Sequence, residues 1–398
     1  MDVRRSNRKG KSPDGALCAP GGSVRRRGRR FCESAGPRRA CRQRGACDLP
    51  PLHRTKLMKR VLSSWIVVIG LGAVADARQD SSTVRMMLLG DVNLGRKVGQ
   101  AILKGDTLYP FVNARERLEA VDLVFANLES QLTDQGGETQ HPRDNLIFCG
   151  PPAGAWTLGR SGLDIVSTAN NHAFDYGFKG LHETITALND AGVALAGTSG
   201  AAVRAFPPAT IARNGIRFGF LAYTEFVNIK GNWSDHIAVY DSARAADDVQ
   251  HLRQNVDIVI ASYHGGAEYV TRPRSRTLRN LRALASAGAD IVVGHHPHVP
   301  QGVERRGTSV ILYSLGNFVF YQPQHYWTQI GLAAEVTVVK RGDSTRVLEI
   351  LLHPVAAGLQ PGWRISAGAL DSLDRRFQST TSHSVRRDAD IFRVDVAN

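Results

Sequence analysis

From Val84 onward the chain alternates between two hydrophobic rhythms. Apolar runs begin at or just after Val84, Asp122, Asp164, Ile216, Asp257, Asp290 and Val310, and each stops at a glycine or a polar cluster. Unbroken runs rich in Val, Ile and Leu predict strands covered on both faces. Between them, apolar positions recur three and four residues apart over Phe111 to Ala120, Leu181 to Ala191, Ala243 to Arg253 and Leu278 to Ala287. These segments predict helices, the second stopping at Gly192. Strands alternating with helices predict an α/β fold with mainly parallel central strands. Past Gly331 the rhythm changes. Leu332 to Val339 and Val347 to Leu352 predict a hairpin around Arg341-Gly342-Asp343, suggesting a second, antiparallel layer. Residues 360–398 are polar, with a short helix predicted over Ala369 to Phe377.

Composition is globular, with 42% hydrophobic and 22% charged residues over 398 positions. The net charge of +14 is concentrated at the N-terminus, where residues 1–57 hold sixteen of the 50 Lys and Arg. The remainder past residue 77 is nearly neutral and gives no basis for a nucleic-acid partner. Residues 1–57 lack an apolar period and are expected to be disordered. Residues 58–77 have the parts of a secretory signal: Lys59 and Arg60, the apolar stretch Val61 to Val74, then Ala75-Asp76-Ala77. The stretch is shorter than the roughly 20 residues a membrane span needs. Cleavage after Ala77 is expected, with a retained anchor as the alternative. Because a signal sits at the start of a chain, translation is expected to begin at Met58. Cys18, Cys32, Cys41 and Cys47 precede the signal and Cys149 alone follows it. An exported body therefore has no internal disulfide, and any metal site is built from imidazoles, amides and carboxylates.

The ends of the apolar runs carry the chemistry. Asp290 to Val293 is followed by Gly294 and then His295, His296 and His298, with Pro297 stiffening the turn. Two of those rings can face one point as metal ligands. The other runs end in Gly90-Asp91, in Asn127 and Glu129, in Asn170-Asn171-His172 with Asp175 beyond, in Thr224-Glu225, in His264 with Glu268, and in Ser314 and Asn317. One polar residue after a strand is ordinary turn chemistry, and Asp91 and Asn171 could each cap a helix. As a set, Asp91, Glu129, Asn171, His264, His296 and His298 stand at equivalent strand ends, where open α/β sheets bind ligands. Mixed oxygen and nitrogen donors suit Mn, Fe or Zn. Two such ions about 3.5–4 Å apart can bind both oxygens of an ester and acidify the water between them. His172, next to Asn171, is placed as proton donor to a leaving group. Arg96 can hold an anionic substrate. His295 is read as structural.

These residues resemble the bacterial capsule-synthesis CapA family, also called poly-γ-glutamate biosynthesis proteins. The matching pieces are Gly90-Asp91 with Gly95-Arg96, Asn127-Leu128-Glu129, Ala169 to His172 with Asp175-Tyr176-Gly177, His264 to Tyr269, Gly294 to Val299 and Ser314 to Phe318. The family is similar in turn to calcineurin-like metallophosphoesterases. The resemblance implies a four-layer α/β/β/α sandwich over residues 84–325, completed by strands and a polar tail over 326–398. It implies two divalent ions: Asp91 and His298 on the first, Asn171, His264 and His296 on the second, and Glu129 bridging. His172 would be the acid/base, oriented by Asp175. Arg96, Glu268 and Asn317 would meet substrate. Two departures stand out. Phosphoesterases begin with Asp-x-His, but Asn93 holds the third position here, which removes one imidazole from the first ion. Gly265 stands where the family usually has Trp, which is expected to open the pocket.

The function implied is that of an exported, metal-dependent, hydrolase-type protein of the periplasm or cell envelope, which makes, anchors or exports a capsule polymer such as poly-γ-glutamate. Its partners would be an anionic polymer or a phosphoester substrate, together with envelope-bound synthase subunits. Two rival readings use the same fold: a non-catalytic protein that binds polymer or partners, and a periplasmic phosphoesterase with a small substrate.

Overall fold

The computed structural model describes residues 81–381 and 385–396. The leader 1–57 and the signal-like stretch 58–77 lie outside the described residues. In chain order the first strands are β1 (Ser81–Val92), β2 (Leu123–Leu128), β3 (Gln131–Leu132), β4 (Cys149–Gly150), β5 (Ile165–Ser167) and β6 (Ala194–Ala196). Next come β7 (Ala209–Arg213), β8 (Ile216–Thr224), β9 (Ile258–His264), β10 (Ile291–His295), β11 (Val303–Arg306), β12 (Ser309–Leu312) and β13 (Asn317–Val319). The last are β14 (Ile330–Arg341), β15 (Ser344–Ala356), β16 (Val385–Asp388) and β17 (Ile391–Val394). The helices are α1 (Arg96–Leu103), α2 (Arg115–Glu119), α3 (Gly154–Arg160), α4 (Gly177–Asp190), α5 (Ser242–Arg253), α6 (Ser275–Ala287) and α7 (Ala367–Thr380).

The strands form two main sheets. The first runs β16-β17-β15-β14-β1-β2-β5-β6, with β13 also pairing β1, and the second runs β11-β12-β10-β9-β8-β7. Within them, β1-β2-β5-β6 and β8-β9-β10-β12 are parallel blocks. Every residue of β2, β9 and β10 is buried, as expected for strands covered on both faces.

Side-chain alternation sorts the first sheet's two faces. Val84, Met86, Leu88, Leu123 and Phe125 join one core, together with Phe218, Phe220 and Ile260 of the second sheet. The intervening Met87, Leu89, Val124 and Ala126 pack with Val98, Leu158 and Leu188 of α1, α3 and α4. Phe125 and Phe220 stack between the sheets with centroids 5.5 Å apart. On the far side of the second sheet, Gly219 sits against Leu252 of α5, and α6 packs on β10 and β12. The layers are therefore helices, sheet, sheet, helices: the α/β/β/α sandwich expected.

Three segments differ from the sequence reading. Over 111–120, Pro110 starts a 3-10 turn (Tyr109–Phe111) and α2 is short, although Phe111, Ala114 and Leu118 still supply the buried stripe. The hairpin β14–β15 does not form a second layer. Its Ile330–Arg341 arm pairs antiparallel with β1 over eight positions and extends the first sheet. The apolar run Val310 to Phe318 is two strands in two different sheets, β12 beside β10 and β13 beside β1.

Glycines permit this crossing. A Cβ at Gly90 would stand 2.0 Å from the Gly316 carbonyl oxygen, and one at Gly294 would stand 2.0 Å from that of Tyr313. Backbone therefore lies on backbone where the chain changes sheets, directly before Asp91 and His295. Gly90→Ala is expected to cost roughly 3 kcal/mol and to lower metal content through the displaced Asp91. Chemical denaturation alongside elemental analysis reads both effects.

Candidate metal centre

The C-terminal ends of β1, β2, β5, β9 and β10, drawn from both sheets, converge on one buried cluster. Asp91 is the hub. It pairs across the sheet with Asn127 on one side and Asn317 on the other. Its Oδ1 accepts from Asn127 Nδ2 at 2.9 Å, and its Oδ2 lies 3.2 Å from His298 Nδ1. Burial alone would raise its pKa, but the hydrogen bonds and charges of His295 and His298 outweigh this and hold it well below the usual carboxylate range.

Glu129 has the opposite environment. It is fully buried and, among the described residues, neither carboxylate oxygen has a hydrogen-bond partner. Around Oε1 stand three imidazole nitrogens: Nε2 of His264 and of His298 at 3.7 Å each, and Nε2 of His172 at 4.0 Å. These spacings are too long for hydrogen bonds and leave room for a cation between the groups. Burial, then the charges of Asp91, Glu268 and Asp175, push its pKa well above normal.

His264 and His296 are held neutral, the state that ligates metal. Burial and then the other histidines lower the pKa of His264 well below its ordinary value, and that of His296 to about 3. His264 Nε2 meets Asn171 Oδ1 at 2.7 Å and its Nδ1 meets Asn127 Nδ2 at 3.2 Å. The Nδ1 atom of His296 has no partner among the described residues. Two sets of donor atoms, Glu129-His264-His296 and Asp91-Glu129-His298, each fall within 4.8 Å of one another. A third, Glu268-His296-His298, reaches outward through exposed Glu268. A buried, unpartnered carboxylate among neutral imidazoles fits divalent ions in both chemistry and spacing.

The backbone is bent to deliver these groups. His296 (φ 92°), His298 (φ 58°), Arg96 (φ 52°) and Tyr269 (φ 61°) are four of the six non-glycine residues with positive φ among the described residues. Each costs about 1–3 kcal/mol. His296 and His298 sit in the turn after β10, which must aim two rings back at the strand ends.

Beside the cluster, His172 Nδ1 contacts Asp175 Oδ2 at 2.7 Å, and the same oxygen accepts from the Phe148 amide at 2.7 Å. The His172 ring stacks on Phe148 at 4.0 Å, and the Arg96 guanidinium covers Phe148 at 4.7 Å. Asn170 pins the turn, donating to the Leu128 carbonyl at 2.7 Å and accepting from the His172 amide at 3.1 Å.

Two expectations change. Asn317 does not face substrate: it is fully buried, its Oδ1 meets His298 Nδ1 at 3.0 Å, and its amide nitrogen is held by Gln322 and the Thr328 carbonyl. It orients His298. Gly265 opens no pocket, because a Cβ there would meet the Glu225 side chain at 2.6 Å. Glu225 is fixed in that space by Tyr263 and the Gly266 amide. Asn93 is buried, and its Oδ1 accepts from the Gly95 amide at 2.8 Å.

Asn127 is the group the sequence reading left without a role, although it links Asp91 to His264 directly. Its signal was present: an Asn inside an unbroken apolar strand must bury an amide and satisfy it. Phe148, the platform for His172, lies in a loop with no periodic pattern to mark it.

Relatives known by sequence include the capsule biosynthesis protein CapA of Bacillus anthracis, 30% identical over 293 residues, covering 70% of this chain and 69% of that protein. The PGA biosynthesis protein CapA of Bacillus subtilis is 30% identical over 269 residues, covering 66% and 69%. Among solved structures, the sulfate thiohydrolase SoxB of Thermus thermophilus in complex with glycerol aligns with a TM-score of 0.38 at 14% identity, covering 74% of this chain and 48% of that one. Residues 85–322, from within β1 to the loop after β13, match the family described as bacterial capsule synthesis protein PGA_cap, and the chain belongs to that family.

Proposed function

We propose that this protein is a metal-dependent, hydrolase-type component of capsule-polymer synthesis that acts on an anionic polymer of the poly-γ-glutamate kind outside the cytoplasm. The relatives' names supply the biological setting. The signal-like sequence at 58–77 supports export. The observation that carries the metal-dependent reading is Glu129, a fully buried carboxylate with no hydrogen bond, ringed by three imidazole nitrogens. Burying such a charge without a counter-charge costs several kcal/mol, and a cation supplies that counter-charge.

In this reading Asp91, Glu129 and His298 hold one ion, and Glu129, Asn171, His264 and His296 hold the other. Bound divalent ions would polarise the scissile group and acidify a water at neutral pH. The chain's own groups do the rest. Asp175 accepts a hydrogen bond from His172 Nδ1–H, which leaves Nε2 facing Glu129 and the reacting centre. The doubly protonated ring gives its Nε2 proton to the leaving group, and the proton released by the attacking water restores it. Arg96, half-buried over Phe148, draws an anionic substrate toward that side.

One observation favours a second reading. With Asn93 where an imidazole would stand, its Oδ1 bonded to the Gly95 amide, the first ion would have three ligands from the chain and would bind more weakly. A protein that kept only the second ion would bind polymer without cleaving it.

The test is polymer production in cells that depend on this chain. Asp91→Ala and His298→Ala are each expected to abolish it while the protein is still made at the normal level. Full polymer production by both variants overturns the proposal.

A further inference from the structure

A basic groove leads away from the metal centre. Its inner end is a cavity of about 160 Å³ lined by Asn93, Arg96, Lys97, Phe320 and Tyr321. Phe320 reaches the centre itself, its ring 4.8 Å from that of His298 and 5.7 Å from that of Phe148. The outer part is an open groove of about 700 Å³ along α1, lined by Arg96, Lys97, Gln100, Lys104 and Asp106. Arg96, Lys97 and Gln140 line both, so the two are continuous.

Lys97 and Gln100 share one face of α1, and Lys104, capping its C-terminal end, continues that face at helical spacing, about 10 Å from Lys97 along the axis. Both lysines are exposed. Lys179 and Lys340 pair with Glu183 and Asp257. Lys97 and Lys104, by contrast, make no ion pair among the described residues, and Lys97 rests over the Tyr321 ring at 5.8 Å. Gln100 is tied to the Gly137 carbonyl and Thr139, which fixes the groove floor. Among the described residues the only carboxylate on the lining is Asp106, against three cations. A chain otherwise nearly neutral past residue 77 thus gathers positive charge in a line that ends at the metal centre.

We infer that this groove is the track for an extended polycarboxylate, with one repeat held at Arg96 beside the metal centre and the following repeats on Lys97 and Lys104. The inference rests on the polymer reading above and adds the direction in which the polymer leaves the site. It assigns binding roles to Lys97 and Lys104, which no motif marks.

The test is binding of poly-γ-glutamate of defined length to the full chain at low and physiological salt, with free glutamate as the single-repeat probe. The charge-reversed double variant Lys97→Glu with Lys104→Glu is expected to bind polymer at least tenfold more weakly and with a shallower salt dependence. The Lys97→Arg with Lys104→Arg variant should bind within about threefold of wild type. Metal content and melting curves of both variants are compared with wild type to show that the fold is intact. Wild-type affinity in the charge-reversed variant overturns the track and leaves the proposed function standing. Equal weakening in the charge-reversed and the arginine variants also overturns it. Failure of the wild-type chain to bind polymer of any length overturns both the track and the polymer reading.

Discussion

Glu129→Gln is expected to stabilise the chelated protein while removing the stabilisation that added metal gives the wild type. The two effects have opposite signs and the same cause. Without metal, the Glu129 carboxyl is buried with neither oxygen hydrogen-bonded among the described residues, and an isosteric amide removes the cost of burying an ionisable group there. The expected gain is about 2 kcal/mol at neutral pH, a rise of a few degrees in Tm. The pH dependence follows from the raised pKa. Between the unfolded value near 4.5 and the higher folded value, the folded state keeps a proton that the unfolded state has lost. The chelated wild type therefore loses stability as pH rises through that window, and the Gln variant does not. With metal the ranking reverses: an ion at a thousand times its Kd adds about 4 kcal/mol to the wild type and almost nothing to the variant. Thermal melts of both proteins, chelated and metal-loaded, decide the matter. A chelated variant less stable than chelated wild type would mean that Glu129 is satisfied by protein groups.

His172→Gln is expected to lower turnover about 10²–10⁴-fold with metal content unchanged. His172 donates no atom to either group of ligands around Glu129, yet its Nε2 faces that carboxylate at 4.0 Å. Asp175 and the Phe148 amide hold the ring in this orientation. Because the pair acts as a unit, adding Asp175→Asn to His172→Gln should cost little more than His172→Gln alone. The assay uses a chromogenic phosphodiester and a γ-glutamyl amide, since the fold alone does not name the bond. If His172→Gln keeps wild-type turnover, His172 is not the proton donor. If the metal-loaded wild type cleaves neither probe, the binding-protein reading gains.

The parallel strands were legible because burial on both faces leaves an unbroken apolar run, and β8, β9 and β10 begin where those runs begin. What misled was also physical. An apolar run cannot reveal that its two halves serve different sheets, so the crossing at Tyr313–Gly316 was invisible between β12 and β13. The edge strands β7, β11 and β16 carry half-exposed, charged residues and have no such run to mark them. α1 was missed for a related reason: its solvent face carries Arg96, Lys97 and Gln100, and its buried face holds only Val98, Gly99 and Ile102.

The candidate site was legible as a set because each donor follows a strand. The structure brings Asp91, Glu129, Asn171, His264, His296 and His298 together, with His172 and Asp175 beside them. Groups that act through others escaped notice. Asn127 and Asn317 position ligands, Phe148 supports His172, and Glu225 fills the space left by Gly265. Their roles depend on which strands are neighbours, and a one-dimensional pattern does not carry that.

The most direct test of the central claim is elemental analysis of the chain purified without chelator, beside its His296→Ala variant. Close to two equivalents of Mn, Fe or Zn are expected in the wild type. The equivalent held with Asp91 and His298 should be the more easily removed, and the one held with His264 should be lost in the variant. No metal in either protein would contradict the account, and the buried, unpartnered Glu129 carboxylate would then need another explanation.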